Sequence, residues 1–434
     1  MAVDDPDVLS QKAILAKISR RLLPLIGLGY LIAFMDRANI SFAALQMNRD
    51  LHFSAAVYGL GGGLFFLSYA LFEVPSNLLL VRFGARRWIA RIMLTWGVIA
   101  AGMMYVRTPL EFYCLRFLLG LAEAGFFPGV ILYLTTWFPA AHRGRAVSRF
   151  YIAWPLSSVF MGAVAGALLN LQGTLGLAGW QWLFLLEGLP AVVMGVLILR
   201  LMPDRPRDAT WLSAGEVGWI EDRLAADAAL LGHEESHLSW RVLRNPLVLQ
   251  LSAVNFLVLG SYYAFNLSAP LILRDVTNLD ATGVGIIVAA VGLLAACAML
   301  FNGWHADIRG ECYIHLCIPL AVMAAAYGVM SLTASPPVFA AGYGLAVMGN
   351  MAVAAVFWLL PGNLIHPRAM AVSLGVINAI GQTGSFISSY LWGLARDTSG
   401  SYRLGIAVLP LALLLAMVIL LVMRRGVSVQ ATRV

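Results

Sequence analysis

What most constrains this chain is an alternation: apolar runs of about 20 residues, the length a helix needs to cross the hydrocarbon of a bilayer, separated by short clusters that hold nearly all the charge. Twelve such runs can be drawn, at 22–44, 57–80, 88–106, 109–136, 146–170, 182–202, 247–270, 283–303, 313–333, 337–360, 369–392 and 404–423. Only 12% of the 434 residues are charged, against roughly 25% in a soluble globular chain. The runs are continuous and rich in Leu, Ala, Gly and Val, without the alternation of a transmembrane barrel strand, so helices do the spanning. The expected fold class is an all-α membrane protein, with twelve transmembrane helices in two six-helix bundles.

One long polar stretch, containing DRPRD and GEVGWIEDRLAADA, divides the runs six and six. The expected organisation is a cytoplasmic N-terminal segment at 1–21, an N-terminal bundle at 22–202, a cytoplasmic linker at 203–246, a C-terminal bundle at 247–423 and a cytoplasmic tail at 424–434. Most of the 29 Lys and Arg residues fall on one side of this scheme, among them Lys17, Arg21, Arg87, Arg143, Arg205, Arg244 and Arg424, while Arg49, Arg107 and Arg274 fall on the other. The positive-inside rule then places both termini and the linker in the cytoplasm of a multi-pass inner membrane protein. The net charge of +7 reads as topology rather than as a nucleic-acid surface. The opening MAVDDPDVLSQKAILAKISRR has no small-residue cleavage site after a short apolar core, so the first span is expected to stay in the mature chain. The four cysteines show no pairing or metal spacing and are expected to be buried free thiols. HEESH, at 233–237, formally fits the zinc pattern H-E-x-x-H, but it lies in the polar linker without a third ligand; neither a metal site nor a cofactor is expected. GLGGG, at 59–63, lies in a span and is expected to permit close helix packing.

Ionisable residues inside the runs are few: Asp36 and Arg37 in the first, Glu73 in the second, Arg116 and Glu123 in the fourth, and Glu187 near the outer end of the sixth. Each costs roughly 2.5 to 3.5 kcal/mol at a helix centre, so it should face protein or water and mark a pathway. At about 1.5 Å per residue, Asp36, Arg37 and Arg116 share a layer and Glu123 lies below them. Adjacent Asp36 and Arg37 point about 100° apart and need different partners. Two cross-helix pairs are therefore expected, Asp36 with Arg116 and Arg37 with Glu123. Purely structural pairs that lock two helices together are the alternative. The second half carries no such charge, and its polar residues, including Asn255, Asn266, Asn350 and Ser385, are neutral.

Two arginines can grip a carboxylate bidentately. Arg37 and Arg116 are therefore candidate substrate-binding residues, joined by Tyr69, Tyr262, Tyr263, Trp358, Asn378 and Gln382. Asp36 and Glu123 are candidate proton-coupling residues. Deprotonated, each holds its arginine; protonated, each frees it for an anion, so proton and anion bind together. Glu187 reads as structural. Glu73 reads as a gating charge whose partners are the cytoplasmic arginines.

Two loops occupy corresponding places in the halves, NLLLVRFGARR at 77–87 and GWHADIRGE at 303–311. They resemble the major facilitator superfamily signature G-x-x-x-D-R-x-G-R-R. Gly303, Asp307 and Gly310 fit it; in the first half Asn77 and Val81 replace its Gly and Asp, while Arg82, Gly84 and Arg86 remain. The resemblance implies conformational roles for Arg82, Gly84, Arg86, Asp307 and Gly310. DRANIS in the first span, RFLLGLAEAGFFPG with WFP and HRGRA around the fourth, and GWQWLFLLEGLP in the sixth look like the anion:cation symporter family, closest to its bacterial tartrate, phthalate and sugar-acid branch. By that resemblance the motif Asp and Arg map onto Asp36 and Arg37, and the motif Arg and Glu onto Arg116 and Glu123. Phe34 stands where family members often have a tyrosine. The resemblance implies a monomer that takes up an organic acid anion by symport with a proton as coupling ion, through alternating access. A proton-coupled drug exporter is the first rival, but the G-P-x-x-G pattern usual in its fifth span is absent, with Trp154 preceding Pro155. A non-transporting membrane sensor would need a signalling domain for which the linker leaves little room. No nucleophile and base are placed together, so an enzyme is not expected.

Overall fold

The computed structural model describes residues 6–231, 244–365 and 367–431; HEESH lies outside them. The helices in chain order are α1 (Pro6–Asp50), α2 (Ala55–Phe83), α3 (Ala85–Gly102), α4 (Pro109–Glu123), α5 (Phe126–Thr135), α6 (Ala140–Tyr151), α7 (Ala153–Leu169), α8 (Gly179–Leu201), α9 (Ala214–Leu231), α10 (Pro246–Thr277), α11 (Ala281–Arg309), α12 (Tyr313–Leu332), α13 (Pro336–Phe357), α14 (Leu359–Leu364), α15 (Pro367–Ser399) and α16 (Arg403–Ala431). Among the described residues all regular structure is helical.

Twelve crossing elements result, three of them broken: α4 with α5, α6 with α7, and α13 with α14. The first break falls at Gly125, whose φ of 86° suits a residue without a side chain. Irregular backbone at membrane depth is tolerated where it is buried in protein or lines a cavity, and residues beside these breaks, Phe127, Tyr151 and Trp358, do border one. Ten elements are long and apolar enough to cross a membrane by length and composition alone. The other two are α6 with α7, whose apolar part is short, and α15, which is long but carries Asn378, Gln382, Ser385 and Ser389. A helix that borders a polar chamber gives up part of its apolar face, which lowers its mean hydropathy without removing it from the bilayer.

Two boundaries differ from the sequence reading. α1 begins at Pro6, so most of the segment expected to precede the first span is already helical and continuous with it. The linker contains α9, held to α1 where Lys17 Nζ donates to the Glu216 carboxylate at 2.7 and 2.9 Å. That ammonium holds the Glu216 carboxyl below the usual carboxylate range, so the contact is present at neutral pH and is lost as pH falls through the lowered value. Cys114 and Cys297 are exposed rather than buried.

Within the first bundle α1 packs on α7 and α8, and α3 on α8; within the second α12 packs on α13 and α16. The bundles meet along α2 with α15, α7 with α11 and α1 with α10. A capping box starts α4: Thr108 Oγ1 accepts from Glu111 N at 3.3 Å and Glu111 Oε2 accepts from Thr108 N at 3.2 Å. This fixes the α4 start that sets the depths of Arg116 and Glu123.

Candidate functional site

A cavity of about 890 Å³ lies between the bundles, and its lining reaches the exposed Leu78 and Val81 near the C-terminal end of α2, which marks its mouth on the side of the linker. Its walls are largely aromatic: Tyr30, Phe34, Tyr69, Phe127, Tyr151 and Trp154 from the first bundle face Tyr263, Phe357 and Trp358 from the second. The polar groups set into these walls include Arg37, Glu73, Asn255, Asn350, Asn378 and Gln382.

Among the described residues, Arg37 is the arginine that borders the cavity. Its Nε donates to Glu123 Oε1 at 2.6 Å, and Nη2 lies 2.5 Å from the same oxygen. The guanidinium also sits over Tyr69, Phe34 and Phe65, 4.9, 5.0 and 5.5 Å from the ring centroids, a setting in which the ring faces attract a cation. Glu123 is the last residue of α4, just ahead of the break, and its Oε2 is buried with no hydrogen-bond partner.

The expected pair of Asp36 with Arg116 does not form. Asp36 turns into the first bundle, where Oδ2 accepts from Trp96 Nε1 at 2.7 Å and Oδ1 accepts from Asn39 Nδ2 at 2.9 Å. Arg116 donates instead to the carbonyls of Gly61 and Gly62 at 3.4 and 3.5 Å and lies over Phe65. The glycine run explains this: α2 has no side chains at 61–63 to cover those carbonyls, and its neighbour approaches closely. Arg116 borders a void of about 20 Å³, shared with Arg37, Phe65 and Tyr263, and not the large cavity. Tyr262 likewise borders a separate void of about 20 Å³. Thus Arg37, Tyr69, Tyr263, Trp358, Asn378 and Gln382 line one chamber, and Arg116 and Tyr262 lie outside its walls.

Glu73 also lines the chamber, and its partner is not a cytoplasmic arginine. Both its oxygens accept from Asn378 Nδ2, at 2.9 and 2.7 Å, which joins α2 of one bundle to α15 of the other. Glu187 is buried beside Asp36, with neither oxygen hydrogen-bonded. At the loop after α2, Gly84 adopts a φ of 86° and Arg86 N donates to Asp204 Oδ1 at 2.9 Å. The acid missing at Val81 is supplied there by the linker. Arg86 Nε donates to Leu199 O at 2.6 Å, and Arg82 lies over Phe83. In the second half Gly310, with a φ of 60°, ends α11 and donates its N–H to Asp307 O at 3.3 Å.

The sequence reading did not single out Tyr30, Tyr151 or Trp154 for the chamber, nor commit Asn255 and Asn350 to it. Tyr30 precedes Arg37 by seven residues, two turns on one face, and that spacing was an available signal. Tyr151 and Trp154 straddle the α6 to α7 break, which periodicity does not reveal. Asn350 Nδ2 and Gln382 Oε1 are buried with no hydrogen-bond partner.

The sequence profile of the Major Facilitator Superfamily matches residues 26–389. This chain belongs to that superfamily. It is therefore a multi-pass membrane transporter and not an enzyme. An Agrobacterium vitis protein named for tartrate transport is 41% identical over 415 residues, 95% of each chain, in keeping with the anion:cation symporter-like branch. A protein of Acinetobacter baumannii named as a quinolone resistance transporter is 34% identical, over 98% of each chain. Among solved structures of the superfamily fold, the partially occluded inward open xylose transporter XylE from E. coli superposes with a TM-score of 0.75 at 15% identity, over 92% of this chain and 98% of that one.

Proposed function

We propose that this superfamily member is a proton-coupled importer that carries an organic acid anion across the bacterial inner membrane, as a monomer, by alternating access. The observation that carries this reading is the Arg37–Glu123 pair: a cavity-facing guanidinium held by a carboxylate whose second oxygen has no partner. A proton on Glu123 weakens its hold on Arg37 and leaves the guanidinium for a carboxylate substrate. Charge balance supports coupling. Among the described residues the deep ionisable groups are two arginines, Arg37 and Arg116, and four acids, Asp36, Glu73, Glu123 and Glu187. Fully ionised, this set is negative before any anion arrives, so an anion binds better when protons accompany it. With both termini and the linker in the cytoplasm, the chamber faces inward, and rocking of the bundles exposes it to the other side.

Export is the second reading, favoured by the likeness to the quinolone resistance transporter. Reconstitution in liposomes separates the two. An inward proton gradient should accelerate uptake of an organic acid from a panel including tartrate, galactonate, phthalate and 4-hydroxyphenylacetate. Arg37→Ala should abolish that uptake, and Glu123→Gln should leave binding but remove the acceleration. Silence across the panel, with proton-driven extrusion of a quinolone or lipophilic cation, would establish export instead.

A further inference from the structure

Resting on the organic-acid reading, we infer that Glu73 is a specificity-determining residue that receives a hydrogen-bond donor at the far end of the substrate. The substrate class is then a monocarboxylate with an aromatic or apolar body and an O–H or N–H group opposite its carboxylate.

Three observations combine. First, among the described residues the chamber offers one arginine, Arg37, because Arg116 donates to Gly61 and Gly62 carbonyls and borders a separate void. One guanidinium matches one carboxylate; the second carboxylate of a diacid would meet no cation among the described residues of these walls and would lie near Glu73. Second, the wall between the ends is aromatic. Tyr69 lies beneath the Arg37 guanidinium and stands one helical turn before Glu73 on α2, so the cationic and anionic ends are separated by a ring-lined stretch suited to a flat body. Third, the acidic end is built to accept. Glu73 is buried and lines the chamber, and among the described residues its side-chain hydrogen-bond partner is Asn378 Nδ2; Gln382, one turn beyond Asn378 on α15, lines the same chamber and has a buried Oε1 with no hydrogen-bond partner. Each carboxylate oxygen retains acceptor capacity after one bond. A site with such acceptors favours a ligand that donates to them and rejects an isostere that leaves them desolvated and unpaired.

The pair that reads this geometry is 4-hydroxyphenylacetate and 4-methoxyphenylacetate, which differ in one donated proton. Binding to the purified full-length protein is followed through quenching of tryptophan fluorescence, since Trp154 and Trp358 line the chamber. Wild type should prefer the hydroxy acid by about tenfold, the scale of one hydrogen bond to a charged group. Glu73→Ala should bring the preference near unity. The diacid 4-carboxyphenylacetate should bind wild type more weakly than either. Equal binding of the pair by wild type overturns the inference while leaving organic-acid transport intact. So does a preference that survives Glu73→Ala with only its pH dependence moved, which would make Glu73 a proton site. Failure of every acid to bind overturns both this inference and the organic-acid reading. The wild-type comparison does not depend on the variant folding.

Discussion

Arg37 donates to Glu123 and borders the chamber, whereas Arg116 donates to the Gly61 and Gly62 carbonyls and does not. Two arginines that look equivalent along the chain therefore make different claims on experiment. Arg37→Lys replaces a fork of donors by a point charge and removes at least one charge-assisted bond, so KM for the transported acid should rise about tenfold or more. Arg116→Gln leaves the chamber wall alone but removes the cation over Phe65 and the donors to two buried carbonyls. It should lower the thermal midpoint of the purified protein and leave the KM of the surviving fraction within about twofold. A large KM change in Arg116→Gln at unchanged stability would show that Arg116 reaches the substrate in another conformation. The sequence located every one of these charges, and the need of adjacent Asp36 and Arg37 for different partners led to the Arg37–Glu123 pair, although residue count alone placed Glu123 a layer below. It missed the Asp36 partners because Trp96 and Asn39 are ordinary span residues, and nothing along the chain marks an indole nitrogen as aimed at a carboxylate.

At the scale of helices, the chain legibly announced crossings and their number, since length and apolarity set both. It concealed the breaks at Gly125, Ile152 and Trp358, where a continuous apolar run is interrupted without a charge. It also concealed which helices touch across the bundles. Those contacts rest on small residues: a Cβ built on Gly162 would lie 2.4 Å from Gly285 O, and one on Gly285 would lie 2.2 Å from Gly162 O. Both sit where α7 meets α11, toward the end opposite the chamber mouth. Ordinary contact requires at least 3.4 Å, so a methyl group forces the helices apart by roughly 1 Å, and packed interfaces respond by switching state rather than stretching. Gly285→Ala should therefore disfavour the arrangement seen here. On a cysteine-free background, spin labels at Leu175 and Leu332, exposed positions on opposite bundles, should show a longer-distance population that wild type lacks. An unchanged distance distribution, with full transport, would mean that this seam yields locally.

Across the whole molecule the two ends are held differently, and that asymmetry determines what sets the conformational balance. At the mouth, charged groups among the described residues are engaged away from the opposite bundle, as Arg86 is with Asp204 and Leu199 O, and Glu311 with His315 and Arg424. At the opposite end the halves are bonded to each other. Tyr58 Oη donates to Leu267 O at 2.7 Å, Arg274 Nη1 donates to Leu45 O at 2.8 Å, and the Asp397 carboxylate on α15 accepts from Ala55 N and Ala56 N, the exposed N-terminus of α2, at 3.0 and 2.8 Å. A carboxylate at a helix N-terminus meets both free N–H groups and the positive end of the dipole, an arrangement worth about 0.3–1 kcal/mol when exposed. Asp397→Asn keeps one acceptor oxygen and removes the charge, so it should shift the balance between the two conformations by up to about fivefold toward opening at that end. The same label pair measures the shift, and raised salt should reduce the difference between wild type and variant because the site is exposed. If charge is what closes this end, Asp397→Glu should restore the wild-type distribution more fully than Asp397→Asn. If the two variants behave alike, closure depends on the glycine seams and the buried Tyr58 bond, and the carboxylate only caps a helix.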